Sequence, residues 1–92
     1  MKCVFIIHDQ MSSETMERQY LLMIAMLNFD FTVDVLFASG AQDYWQHHQH
    51  WQQKLTALEL YGVHAIRHLP DDAGQSPPDW YVNLLAEADF IS

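Results

Sequence analysis

One cysteine in ninety-two residues, Cys3, leaves no internal disulfide to be made and fits a reducing compartment. Basic residues are nearly as scarce. Lys2, Arg18, Lys54 and Arg67 stand against twelve acidic side chains, a net charge of -8 with His neutral. Four scattered cations build no basic patch, which disfavours direct binding of nucleic acid through its phosphates. Glycine occurs only at 40, 62 and 74, and none falls in the first loop, so there is neither a dinucleotide fingerprint nor a P-loop. No apolar run approaches a membrane span, and no charged start leads into a cleavable apolar segment. The expectation is a cytoplasmic protein with no membrane partner.

Apolar residues, by contrast, are abundant. Half the residues are hydrophobic and 13% are aromatic, with five Met, five Phe, four Tyr and three Trp, so residues 1–92 read as a single globular domain. For a chain of this size that is a surplus of groups seeking burial, and part of it is expected at a subunit contact.

Residues 2–27 organise the chain. Cys3-Val4-Phe5-Ile6-Ile7 is a short apolar run of the kind buried on both faces. It breaks at His8-Asp9-Gln10 and passes through Ser12 and Ser13, which suit a helix N-cap. Residues 14–27 then repeat apolar side chains at helical spacing: Met16, Tyr20, Met23, Ile24 and Leu27 form one stripe. Leu21, Leu22, Ala25 and Met26 carry it nearly all the way round. A strand apolar on both faces calls for a parallel sheet with crossover helices.

Further on, Thr32-Val33-Asp34-Val35-Leu36-Phe37-Ala38 reads as a second strand, ending at Ser39-Gly40. Residues 41–61 read as helix, with Trp51, Leu55 and Leu58 inward and Gly62 as the stop. The first turns of that helix, residues 43–50, carry little aliphatic pattern, which leaves part of them open to being loop. Residues 63–69 alternate, Val63, Ala65 and Leu69 against His64, Ile66 and His68, as an edge strand would. Residues 70–78 are a loop by composition, 79–88 a helix with Trp80, Leu84 and Leu85 inward, and 89–92 a short closing strand. The order strand-helix-strand-helix-strand-helix-strand predicts an α/β fold, a three-layer α/β/α sandwich with a mainly parallel sheet of four strands, five at most, and right-handed crossovers.

Ligand chemistry in such sheets gathers at the carboxyl ends of the strands. That draws attention to the loops that begin at His8, Ser39 and His68. By position His8, Asp9 and His68 are the catalytic candidates, and Gln10, Ser12, Ser39 and Gly40 the ligand-binding ones. His8 and Asp9 are adjacent in an extended segment and point opposite ways, so they do not form a pair with each other. His47, His48 and His50 raise a metal reading, but a structural zinc site wants four placed ligands and a His-rich polar face explains them. Neither a metal nor a cofactor is expected. Cys3, early in its strand, reads as a buried structural thiol.

Lys2-Cys3-Val4-Phe5-Ile6-Ile7 with the apolar helix after it, residues 32–42, and Lys54-Leu55-Thr56-Ala57-Leu58-Glu59-Leu60-Tyr61-Gly62 together resemble the small sulfur-relay family that includes DsrE, DsrF and TusC. The likeness covers residues 2–42 and 51–69. It implies a parallel α/β/α sandwich assembled into homo- or hetero-oligomers that pass persulfide sulfur between proteins, in tRNA thiolation or in sulfur oxidation. In some of those subunits a cysteine following a strand takes the sulfur. The corresponding region here, residues 68–78, has none. The resemblance therefore implies a TusC- or DsrF-like accessory subunit without catalytic activity of its own, joined to homologous subunits through the apolar helix 14–27. The alternative is a stand-alone small-ligand-binding α/β oligomer without sulfur transfer.

Overall fold

The computed structural model describes residues 1–8, 11–38, 40–70 and 77–92, with residues 42, 43 and 46 described in backbone only. Among the described residues four strands, β1 (Lys2–Ile7), β2 (Thr32–Phe37), β3 (Ala65–His68) and β4 (Phe90–Ile91), form one sheet in the order β3-β2-β1-β4, and every pairing is parallel. The helices are α1 (Ser13–Asn28), α2 (Ala41–Gln46), α3 (Gln49–Tyr61) and α4 (Asp79–Glu87). The chain is therefore the three-layer parallel sandwich its sequence predicts, with one more helix than expected.

Alternation along the strands sorts the core into two layers. Cys3, Phe5 and Ile7 of β1 and Val33, Val35 and Phe37 of β2 face α1 and α3, where Met16, Met23, Trp51 and Leu58 complete the larger cluster. Val4 and Leu36 face the other way and meet Leu84, with Trp80 and Leu85 packed alongside. From β1 to β2 to β3 the chain steps in one direction across the sheet; from β3 to β4 it steps back past β1. With right-handed crossovers throughout, that reversal puts α4 on the face opposite α1 and α3.

Ser12 is the N-cap of α1. Its backbone is extended, its Oγ accepts from the Thr15 amide at 3.1 Å, and its hydroxyl donates to Thr15 Oγ1 at 2.9 Å. This satisfies one of the amides that a helix start leaves open. Ser12→Ala is expected to cost about 1 kcal/mol, read as a lower urea midpoint at unchanged slope. On the outer side of α1 Glu14 and Arg18 are ion-paired at 3.0 Å, and Leu21 is the large apolar side chain left exposed there, at 58%. Tyr20, Leu22, Ile24, Met26 and Leu27 pack against the protein's own core.

Two expectations need correction. Residues 41–61 are not one helix: within the stretch left open to being loop, α2 ends at His47, and His48, extended at φ -96, ψ 96, starts α3 afresh. Trp45 and Trp51 lie six residues apart, which in a continuous helix sets them about 120° apart around the axis. The break lets both enter one core, where their rings meet edge-on with centroids 5.9 Å apart. The alternation across 63–69 also fails at its start. Val63 belongs to the closing turn of α3, its amide donating to Leu58 O at 3.1 Å, and it packs with Ile66 in the larger cluster. Gly62, at φ 97, supplies the left-handed turn that ends the helix. Residues 71–76 of the loop expected over 70–78 lie outside the described residues.

Candidate functional site

The carboxyl ends of the strands are the first place to look. His8 follows β1 and is exposed. Its amide donates to Met11 Sδ at 3.2 Å and its carbonyl accepts from Trp45 Nε1 at 2.8 Å. Trp45 is only 2% exposed, so a buried indole ties α2 to the end of β1. Gly40 precedes α2 at φ 81, a left-handed position that favours glycine. His68 ends β3, exposed, in register with Phe37, which is in register with Ile7. The backbones at His8 and His68 are thus two strand spacings apart, about 10 Å, and the pair is not brought together. Ser12 spends its hydroxyl on the cap described above. Asp9, Gln10 and Ser39 lie outside the described residues.

Strand order reverses between β1 and β4, which is the switch point where open parallel sheets place ligands. Ser92 lies there beyond β4, its carbonyl accepting from the Ile6 amide at 2.8 Å and its hydroxyl donating to Gln19 Oε1 at 2.9 Å. No hydroxyl or thiol among the described residues is hydrogen-bonded to an imidazole or carboxylate. Such a partner is one way in which a nucleophile is activated.

Cys3 is fully buried, and burial pushes its thiol above the ordinary value. The amino terminus offsets part of that rise and Asp89 adds to it. A thiol so placed is a poor nucleophile. His47, His48 and His50 are exposed. Two of them stack with neighbours, His48 against Tyr44 and Trp45, His50 at the edge of Trp51. Nowhere among the described residues do three His, Cys, Asp or Glu side chains converge on one point.

Two clefts remain. One, about 240 Å³, opens beside the β3 edge between Phe37, Trp45, Leu55 and Ile66 on its apolar walls and Gln52, Thr56 and Glu59 on its polar ones. The other lies on the opposite face, against α4, and contains Asp34 and His64. Neither of those two residues stood out as a site in the sequence. A carboxylate in the middle of an otherwise apolar strand was the available signal, and its partner thirty residues later has no spacing motif to announce it.

Fold and clefts together define an all-parallel three-layer α/β/α domain with binding-sized hollows on both faces of the sheet. Compared with known proteins, no family model, no curated protein and no solved structure matches this chain.

Proposed function

We propose that this chain is an accessory subunit of a sulfur-relay-like oligomer, of the TusC or DsrF type, contributing assembly and not sulfur chemistry. The observation that carries the reading is the placement of Cys3: the one thiol of the chain is sealed inside the sheet, fully buried, in a strand of the parallel scaffold that the resemblance calls for. A subunit that accepts sulfur needs an exposed thiolate. Contact with homologous subunits, or with further copies of itself, runs along α1 and the turn after it. Leu21 is 58% exposed there, and Phe29, stacked on Phe31, is 71% exposed. Isolated apolar side chains on a surface are ordinary; a pair on one helix and its cap gives a contact something to bury.

Two measurements on the purified chain test this. Sedimentation velocity is expected to show an assembly larger than one chain, either alone or with cysteine-bearing sulfur-relay subunits. Mass spectrometry after incubation with a persulfide donor is expected to show no added sulfur on Cys3. A strict monomer that ignores such subunits, or a persulfide on Cys3 of the folded protein, overturns the proposal.

A second reading, a stand-alone small-ligand binder, is favoured by the cleft between Phe37, Trp45 and Ile66, whose mixture of aromatic and polar walls is the usual make-up of such pockets. A thermal-shift screen against metabolites separates the two. A stabilising compound whose effect disappears in Thr56→Trp, which fills the cleft, supports ligand binding.

A further inference from the structure

The chain has six histidines, His8, His47, His48, His50, His64 and His68, and all six are exposed. Exposure therefore does not tell them apart; the partner of the ring does. Among the described residues His64 is the histidine whose ring is bonded to a carboxylate, its Nδ1 2.8 Å from Asp34 Oδ1. A carboxylate has only acceptors to offer, so Nδ1 is the donor, and in the neutral ring the lone pair is then on Nε2. The backbone is held too, since the His64 amide donates to Val33 O at 2.8 Å. The imidazole side chain is 58% exposed and that of Asp34 3%, so the pair has one wet end and one buried end.

Folding does not account for this pair. Asp34 is the charged residue in the buried set, in the middle of β2, and its Oδ2 has no hydrogen-bond partner among the described residues. An unsatisfied carboxylate oxygen costs stability, and an ion pair with a buried member is weak support for a fold. What a buried carboxylate behind an imidazole does supply is chemistry. It fixes the tautomer that leaves the Nε2 lone pair free, and it stabilises the positive charge the ring acquires when Nε2 forms a bond.

The surroundings indicate the class of group that Nε2 receives. His64 lines a cleft of about 260 Å³ under α4, together with Lys2, Arg67, Trp80, Asn83 and Glu87. Four basic residues serve the whole chain, and two of them stand here. Lys2 is already neutralised, its Nζ 3.1 Å from Glu87. Arg67 is not: its guanidinium lies 5.4 Å over the Trp80 ring, and it makes no ion pair among the described residues. Asp34 is spent on His64 and Glu87 on Lys2, so the charge left over in the cleft is positive. A guanidinium fork takes an oxyanion through parallel bonds, and the Asn83 amide is a further donor. An electrophile that arrives as an oxyanion fits beside such a cation, and a phosphoryl group is one.

We propose that His64 is a phosphoryl-acceptor site, taking the group at Nε2 from a small donor of the phosphoramidate or acyl-phosphate class. Nε2 attacks phosphorus, and the new N–P bond forms as the donor's bond to its leaving group breaks. The electron pair of the broken bond departs with ammonia from the one donor, or with a carboxylate from the other. The ring loses no proton: Nδ1 keeps its hydrogen on Asp34, and that carboxylate matches the positive charge of the phosphorylated imidazole. Nothing is oxidised or reduced. Arg67 holds the phosphoryl oxygens, with Trp80 behind its guanidinium. The site lies on the opposite side of the sheet from Phe37 and Trp45, and it stands or falls independently of subunit assembly.

The test is incubation of the whole chain with phosphoramidate, the phosphohistidines being mapped residue by residue by mass spectrometry under alkaline conditions that preserve them. The other five histidines are internal standards. His64 is expected to be labelled faster than any of them by about tenfold or more. Long-range proton–nitrogen NMR of the labelled protein is expected to place the phosphorus on Nε2. Arg67→Gln, a change at an exposed side chain, is expected to slow labelling of His64 about fivefold or more and to leave the other five unchanged. In urea, where the bond to Asp34 is gone, all six are expected to be labelled at rates within a few-fold of one another, an arm that needs no variant. A folded protein in which His64 is labelled no faster than the rest, a lead that persists in urea, phosphorus on Nδ1, or an Arg67→Gln protein labelled as the parent is would each overturn the proposal.

Discussion

Trp45→Ala is expected to destabilise the protein by about 3–5 kcal/mol, the cost of emptying a tryptophan-sized site in a core that cannot close over it. Trp45 is 2% exposed and its ring has neighbours on several sides: Tyr44 edge-on at 4.9 Å, His48 at 5.2 Å, Trp51 at 5.9 Å. Its indole N–H also holds the His8 carbonyl at 2.8 Å. The helix it belongs to, α2, has six residues, too few to persist without tertiary support. Removing the ring therefore empties a site and also frees α2 from the end of β1. A domain of this length has about 5–14 kcal/mol of total stability, so the variant sits near its unfolding midpoint in water if the parent is at the lower end. Circular dichroism against urea measures it. Trp45→Phe, which keeps most of the volume and loses the N–H, should recover more than half of the loss. A loss below 1 kcal/mol for Trp45→Ala would contradict the packing described.

The second large effect is kinetic. Cys3 of the folded protein is expected to react with a thiol reagent about a thousandfold or more slowly than in urea, because a fully buried residue of an inner strand becomes accessible only when the sheet opens. The same burial links stability to alkaline pH. The folded thiol keeps its proton above the ordinary value of 9.0, whereas the unfolded thiol loses it there. From that pH upward the unfolded chain binds fewer protons than the folded one. Stability accordingly falls as pH rises from 9.0 toward the folded thiol's higher value, and is unaffected by this group at lower pH. Cys3→Ala should flatten that alkaline decline relative to the parent, at the cost of a smaller core side chain. Equal alkaline slopes in the two proteins, or rapid labelling without denaturant, would contradict a sealed thiol.

What the sequence disclosed and what it withheld divide along a physical line. Residues 3–7 are apolar on both alternating sets, and that requires two covered faces, hence a parallel sheet and crossover helices. The cap of α1 could be narrowed to Ser12 or Ser13 because capping is local, decided within four residues; the structure places it at Ser12. The weak pattern of residues 43–50 left room for a stretch of loop there, but the place of the break, at His47 and His48, was not legible, since what separates α2 from α3 is the demand of two tryptophans for the same core, and periodicity within one segment carries no information about its neighbour. Asp34 was passed over for a related reason. Whether a carboxylate in a strand is wet or buried depends on which helix later covers it, here α4, and on a histidine contributed by the approach to β3. The carboxyl-end loops were the sound place to search for chemistry on fold grounds. The unpartnered polar atom nevertheless lies toward the other end of the sheet, where register and not strand termini brings residues together.

The sheet's two lateral neighbours of β1 are made at very different times. On one side β2 follows after a single helix; on the other, the Lys2 amide donates to a carboxylate eighty-seven positions later, Asp89, beside the two residues of β4. At 5–20 residues per second the ribosome needs roughly 4–17 s to deliver that closing segment. For all of that time the strand at the middle of the finished sheet is a naked edge with Val4 uncovered, a condition in which nascent chains adhere to each other or are held by chaperones.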